Sequence, residues 1–269
     1  MTATRRRGVA LMLVLWLIIV LTTVGARVAT SARSTAGVAA NIRAAAIGRY
    51  AAESGVAEAA ADLSEMLAAS RDTAARGQYL NSLESLGARK GETRLGDAVF
   101  AISYVDVSSR LDINSSTAPQ LARFFSFFTE PGEAARAAQA VRLWIDPGSV
   151  QSSIRPAPSA RLDLAFPRMP VARPLLSLEQ LRSIPGVSAK LAEDAAPLLT
   201  VDGDGRINRA TASDTVLAAA GGSLQDEPSR VLIVARGWLS GQPLTHEIQA
   251  VYAIEADRLV FVRWRERIL

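Results

Sequence analysis

The residues of this chain that are capable of chemistry are few and dispersed. It has one histidine, His246, and no cysteine, which excludes disulfides, a cysteine nucleophile and thiolate zinc sites. His246 begins an alternating apolar segment typical of a β-strand, where we expect it at the surface or at a sheet edge. Asp106 and Asp112 are close in sequence, but no base or nucleophile accompanies them. We therefore predict that the protein is not an enzyme and holds no cofactor and no catalytic metal.

Residues 202–205 (DGDG) resemble part of a calcium-binding loop. A complete loop needs about six oxygen ligands and a late bidentate acid. The positions that follow, among them Arg206 and Thr211, are poor ligands. A tight turn is the favoured interpretation, and calcium binding near Asp202 and Asp204 is left open.

Residues 181–191 (LRSIPGVSAKL) resemble a helix-hairpin-helix motif, in which a Gly-x-Gly turn offers backbone N–H groups to a phosphate. Ser188 stands at the place of the second glycine, and the cations Arg182 and Lys190 are accompanied by acids. The net charge is +4, and three of these charges belong to the arginines at 5–7, so no strongly basic domain is present. We expect a packing hairpin and no nucleic-acid partner; a membrane-anchored helix-hairpin-helix DNA-binding protein is the alternative.

The elements that position these residues begin at the N-terminus, where the arginines at 5–7 precede Gly8 and an uncharged run that ends at Ala26. This run of 19 residues is close to the roughly 20 apolar residues that span a membrane. It is longer than the apolar core of a signal peptide, which is about 7–15 residues. It predicts a transmembrane helix over residues 9–26, with the basic tail in the cytoplasm.

Two other kinds of leader compete with a plain anchor. Val24, Gly25 and Ala26 are small enough for a signal peptidase, which would leave a mature chain beginning at Arg27. A glycine directly between a basic tail and an uninterrupted hydrophobic helix resembles a type IV prepilin leader, the interpretation we favour.

This resemblance implies a leader over residues 1–8, cut by a prepilin peptidase between Gly8 and Val9. The hydrophobic helix would be retained, and Val9 would become the N-methylated mature N-terminus. Most pilins carry glutamate at mature position five, where it pairs with the amine of a neighbouring subunit. That position is Leu13 here, so the resemblance implies a subunit that needs no such partner.

Alanine-rich sequence after the membrane segment predicts one long helix over residues 9–72, because alanine is the strongest helix former. An apolar stripe with spacings of three, four and seven predicts its packed face. The stripe contains Val38, Ile42, Ala45, Ala52, Val56, Ala59, Leu63 and Leu67. We expect the helix to loosen at Gly25 or Gly37 and to be followed by a loop over residues 77–96.

Four alternating segments rich in β-formers predict strands at 98–107, 230–239, 246–255 and 258–267, the last three as an antiparallel meander. Between them, three-to-four spacing of apolar residues predicts helices. The expected fold is α+β: a long N-terminal transmembrane helix, an antiparallel sheet over residues 98–108 and 229–267, and an inserted all-α domain over residues 109–228.

Two internal features of the insertion have a local explanation. The pattern I-N-x-x-T-A occurs at Ile113 and again at Ile207, and each copy precedes a helix that Thr117, Thr211 or a neighbour is expected to N-cap. Ser177 followed by Gln180 predicts a capping box.

Over nearly its full length the chain resembles the general secretion pathway protein K family, the large minor pseudopilin of type II secretion systems. The resemblance is carried, in order, by RRRGVALMLVLW, RLDINSSTAPQLARFF, VRLWIDP, LLSLEQLRSIPGVS, GRINRATASDTVL and FVRWRE. The family also usually lacks the glutamate that Leu13 replaces, and its fold implies a pilin core interrupted by a helical domain. Residues 148–168 depart from the acidic, tyrosine-containing stretch common in the family.

The resemblance implies a subunit at the tip of a short periplasmic pseudopilus, anchored by a single pass in the inner membrane with its C-terminal domain in the periplasm. Its expected partners are minor pseudopilins I and J and, indirectly, H and the major pseudopilin G. The tip complex would nucleate assembly of the pseudopilus, which drives protein export across the outer membrane.

Overall fold

The computed structural model describes residues 3–70, 72–146, 173–243 and 245–269, with side chains from Met12 onward. Residues 148–168, where the sequence departs from the family pattern, lie outside the described part. The described helices are α1 (Ala3–Ala69), α2 (Thr73–Asn81), α3 (Leu83–Lys90), α4 (Ala118–Phe125), α5 (Pro131–Ile145), α6 (Ala189–Ala195) and α7 (Asp214–Ala219). The strands are β1 (Glu92–Leu95), β2 (Ala98–Asp106), β3 (Leu111–Asp112), β4 (Leu199–Thr200), β5 (Ile207–Asn208), β6 (Leu224–Gln225), β7 (Arg230–Leu239), β8 (Thr245–Glu255) and β9 (Arg258–Ile268).

Helix α1 is continuous over 67 residues, so the expected loosening at Gly25 or Gly37 is wrong. Alanine supplies helix propensity throughout, and neither glycine has any other group within 4 Å of its Cβ position. The predicted apolar stripe is buried from Ala52 to Leu67, whereas Val38 and Ile42 are exposed. Tertiary contact therefore starts only near Ala44, and the helix before it stands free of the rest of the molecule.

The five-stranded sheet has the order β1-β2-β7-β8-β9, and every neighbouring pair is antiparallel. The four predicted strands and the C-terminal meander are confirmed. The long insertion between β2 and β7 does not separate them: Asp106 lies opposite Val231 and Ala98 opposite Leu239. One face of the sheet packs on α1 and buries a single apolar core, which confirms the α+β fold class.

Close packing of α1 on the sheet depends on glycines where the two backbones meet. A Cβ on Gly48 would lie 2.9 Å from the carbonyl oxygen of Gly237, and a Cβ on Gly55 would lie 2.9 Å from the ring of Phe100. Side chains at these positions would hold the helix away from the strands. The absence of Cβ atoms therefore sets the helix–sheet distance.

The segment between β2 and β7 has its own apolar core, formed around Phe124, Phe125 and Val141. It is helical, but it also contains two short parallel strand pairs, β3 with β4 and β5 with β6. The expectation of an all-α insertion is therefore wrong in this respect. Two-residue strands carry no periodicity of their own, so nothing in the hydrophobic pattern marked them.

Residues 77–96 are not a loop, which corrects the sequence prediction. They hold the end of α2, all of α3 and strand β1. Gly87 is buried in α3 because a Cβ there would lie 2.8 Å from the ring of Tyr104. The glycines that suggested a loop include one required by packing and two, Gly91 and Gly96, that bound β1 with positive φ.

Candidate functional site

The first candidate site is the free N-terminal part of α1. An 18-residue apolar window of this helix has a mean hydropathy of 2.2 and none of it is buried in the structure. Leu13, at the position where pilins carry glutamate, has 62% of its surface exposed. The backbone is helical through Gly8 and Val9. By length and composition this is one candidate membrane span, and its apolar side chains contact nothing else in the molecule.

The free helix is joined to the sheet through a cluster at the base of the sheet. Arg49 Nε lies 3.2 Å from a carboxylate oxygen of Glu53 and donates a hydrogen bond of 3.1 Å to Glu266 Oε2 on β9. His246 Nε2 lies 3.5 Å from the same oxygen of Glu266. The cluster ties α1 to the last strand of the sheet.

His246 is buried, which corrects the expectation of a surface or edge residue. Strand β8 pairs with β7 on one side and β9 on the other, so its residues lie in the interior of the sheet. Register places His246 opposite Gly237, on the face that α1 covers. Alternation predicted the strand, but its place in the sheet depended on long-range pairing.

A second candidate site joins the insertion to the core at Asp106. This buried carboxylate accepts hydrogen bonds from Asn208 Nδ2 at 2.7 Å, Thr211 Oγ1 at 2.5 Å and the Ser108 backbone N–H at 2.8 Å. Burial raises the pKa of Asp106, and these three donors partly offset that rise. Asn208 also donates to Asn81 Oδ1 at 2.8 Å. The carboxylate is therefore fully engaged in holding three segments together.

The I-N-x-x-T-A echo is a reused structural device in which each copy does the same work. Asn114 bridges the backbone of Leu175 and Val201, as Asn208 bridges Asp106 and Asn81. Thr117 forms the predicted capping box with Gln120. In the second copy a neighbour, Ser213, caps α7; the Thr211 hydroxyl is directed to Asp106 instead.

The DGDG turn forms a third junction, between the insertion and the far face of the sheet. Asp202 accepts hydrogen bonds from Arg263 at 3.0 Å and from Arg265 at 2.7 Å on β9. Arg230 donates to the backbone carbonyls of Asp202 and Gly203. Asp204 accepts from Arg206 and Ser229. No group of three or more His, Asp or Glu side chains with metal-binding geometry occurs among the described residues.

Glu247 is a fully buried acid on β8, on the same far face of the sheet. It accepts hydrogen bonds from Arg236 at 2.7 Å, Gln249 at 2.7 Å and Arg267 at 2.9 Å. Burial raises its pKa, but the three donors together lower the pKa more, so the net value lies below 4.5. Arg236 and Arg267 are more than half exposed, so they bring this buried charge into contact with solvent.

A cleft of about 600 Å³ separates the insertion from this face of the sheet. Its walls combine Asp202, Glu247 and the arginines of β9 with Ser177 and Glu179 of the insertion. The arginines alternate along β9 at 263, 265 and 267, a pattern present in the sequence as RWRER. Sequence analysis assigned them no role because their carboxylate partners lie on distant segments.

The hairpin at residues 181–191 packs into the core of the insertion. Ile184 and Val187 are buried, and Gly186 takes a φ of +98° in the turn. Its two cations contact acids: Lys190 Nζ lies 2.5 Å from Asp194, and Arg182 lies 3.6 Å from Glu193. The charges available for a phosphate are therefore balanced locally. The predicted box at its start is present, with Gln180 Oε1 accepting from the Leu176 and Ser177 backbones.

Comparison with known proteins gives one structural likeness worth reporting. No protein-family model matches the chain, and no curated protein matches it by sequence. The structure is similar to a chain described as belonging to the GspK-GspI-GspJ complex of the enterotoxigenic Escherichia coli type 2 secretion system. The identity is 12%, the TM-score is 0.48, and the match covers 72% of this chain and 94% of that chain. At these values the function has to be inferred from the residues of this chain.

Proposed function

We propose that the protein is a minor pseudopilin of a type II secretion system, placed at the tip of the pseudopilus and acting in its assembly rather than in catalysis. The observation that carries the proposal is the free half of α1. An apolar helix follows a basic tail and a glycine, contacts nothing else in the molecule, and continues without a break into the helix that supports the sheet. A subunit that is first held in a membrane and then packed into a fibre needs this arrangement.

The tail and the helix define how the subunit would be processed and oriented. The arginines at 5–7 hold the leader in the cytoplasm, and the head, meaning the described residues from Ala44 onward, lies in the periplasm. Prepilin peptidase cuts between Gly8 and Val9 and methylates Val9. The inner membrane then holds the mature subunit by a single span over residues 9–26.

Leu13 and the bulk of the insertion support a position at the tip. A leucine in place of the usual glutamate leaves no carboxylate that must be neutralised by the amine of a subunit above. The insertion adds a second core to one end of the sheet, and this bulk would obstruct a further subunit. Minor pseudopilins I and J are the direct partners in this proposal, with H and G reached through them.

The first test is the mass and N-terminal sequence of the mature protein taken from cell membranes. A chain that starts at N-methylated Val9 supports the proposal. A start at Arg27 would identify a signal peptide, and an unprocessed Met1 would identify a plain anchor; either result overturns it.

Two glycine variants make this test specific for the junction. Gly8→Val should block cleavage and leave the leader in place. Gly25→Val, a matched change elsewhere in the same apolar run, should be processed normally. Co-purification of the full chain with pseudopilins I and J then tests the partners separately from the processing.

A further inference from the structure

Strand β9 is an open sheet edge of unusual length. It has 11 residues and pairs only with β8. The opposite edge, β1, has four residues and is bounded by Gly91 and Gly96, which turn the chain away at both ends. Natural sheets blunt exposed edges because unpaired backbone groups attract other strands. Here one edge is blunted and the other is left open.

The open side of β9 presents backbone groups at known positions. The Leu269 backbone N–H donates to Thr245 O at 2.8 Å, which identifies these two as a hydrogen-bonded pair. Such pairs alternate along an antiparallel ladder, and Arg267 and Arg265 continue the register opposite Glu247 and Gln249. The residues between them direct their N–H and C=O groups away from β8; they are Trp264, Glu266 and Ile268.

The two faces of β9 differ in chemistry. On the face that carries α1, the strand extends beyond the helix and leaves apolar side chains exposed: Phe261 by 55%, Trp264 by 37% and Ile268 by 61%. On the far face Arg263, Arg265 and Arg267 stand in a row. A strand added at this edge would have apolar neighbours on one face and guanidinium groups on the other.

The arginine row is only partly neutralised. Arg263 and Arg265 share the carboxylate of Asp202, and Arg267 shares Glu247 with Arg236. Four guanidinium groups thus meet two carboxylates. In the adjoining cleft Glu179 adds one negative charge and Arg110 one positive charge, which leaves the positive excess unchanged.

We propose that β9 accepts an extended segment of a partner protein in which acidic and apolar residues alternate. The partner backbone would pair with Trp264, Glu266 and Ile268, its acidic side chains would lie beside the arginine row, and its apolar side chains would cover Phe261 and Trp264. A second copy of β9 is a poor occupant, because antiparallel self-pairing places arginine rows beside one another. The inference goes beyond the proposed secretion role and does not depend on it.

The test uses the full chain in detergent and a capped fluorescent peptide of about nine residues that alternates glutamate and valine. We expect saturable binding that weakens with added salt, and at least about tenfold weaker binding of the matched lysine–valine peptide. On binding, amide hydrogen exchange should slow across residues 262–268. No saturable binding, equal binding of the two peptides, or unchanged exchange in this segment would overturn the proposal, as would self-association of the chain through β9.

A proline variant tests the backbone contribution alone. Glu266→Pro removes an N–H that points away from β8 and leaves the internal ladder intact, whereas Glu266→Ala changes the side chain only. We expect the proline variant to bind the peptide about tenfold more weakly than the alanine variant. Equal affinities would contradict strand addition. If Glu266→Pro does not fold, the exchange measurement on the unaltered chain decides the question.

Discussion

Gly48 of α1 and Gly237 of β7 meet backbone to backbone: a Cβ on Gly237 would lie 2.2 Å from the carbonyl oxygen of Gly48 and 2.4 Å from the backbone nitrogen of Ala52. Both obstructing atoms belong to the helix backbone and cannot rotate away. The contact lies where α1 first reaches the sheet, so it sets the height at which the free helix leaves the head.

The first prediction follows from this contact. Gly237→Ala should destabilise the head by about 3 kcal/mol, because the added methyl group forces the helix and strand apart. Gly37→Ala is the matched control, since nothing lies within 4 Å of that position; it should change stability by no more than about 1 kcal/mol. Urea unfolding of the full chain in detergent, followed by tryptophan fluorescence, measures both. Similar midpoints for the two variants would contradict the packing account.

The second prediction concerns the buried carboxylate of Glu247. Its folded-state pKa lies below the ordinary value of 4.5, so its contribution to stability is present above that pH and is lost as pH falls through the folded value. Glu247→Gln should therefore cost about 1–3 kcal/mol near neutral pH, and the cost should shrink in acid. Its arginine partners are more than half exposed, so water partly replaces the lost acceptor.

Glu266→Gln is the control for this measurement. Glu266 pairs with Arg49 at the surface, and exposed pairs contribute at most about 1 kcal/mol. Unfolding curves at several pH values compare the two variants. A Glu247→Gln cost that stays constant down to acid pH would show that the charge of Glu247 does not stabilise the fold.

The third prediction tests the junction at Asp106. Asn208→Asp replaces a donor with a second carboxylate beside Asp106, whose pKa burial already raises. Two adjacent carboxyls cannot both ionise without cost. A raised folded-state pKa gives stability that is present below the ordinary value and is lost as pH rises through the folded value.

Asn208→Asp should therefore unfold more easily than Asn208→Ala, and the difference should widen as pH rises from about 4 to about 7. Unfolding in urea at each pH gives the comparison. If the two variants lose the same stability at every pH, Asn208 acts by shape and not by donating to Asp106.

The fourth prediction compares two exposed apolar residues of α1. Leu17→Arg places a charge in the apolar window, at a cost of about 2.5–3.5 kcal/mol for membrane insertion. Ile42→Arg makes the same change on the same helix beyond that window, where we expect no effect. The fraction of protein that resists alkaline extraction from membranes measures insertion. Equal retention of both variants would mean that residues 9–26 do not form the span.

Local patterns in the sequence predicted most of the secondary structure. Alanine content predicted α1, and alternation predicted β2, β7, β8 and β9 within one residue at their ends. These features depend on neighbours along the chain, so a single sequence contains them. The same local reasoning failed for residues 77–96, where Gly87 reports close packing against Tyr104 and not a turn.

Local reasoning likewise determined the N-terminal features: the basic tail, Gly8, the apolar run and Leu13 are adjacent in sequence, and their interpretation needs no folded contact. Tertiary structure alone decided which charges meet. Asp202 and Arg265 are 63 residues apart and Asp106 and Asn208 are 102 apart, and strand order placed His246 in the interior of the sheet. Such pairs are set by long-range register, which no short stretch of sequence encodes, because each partner is compatible with many others until the chain has folded.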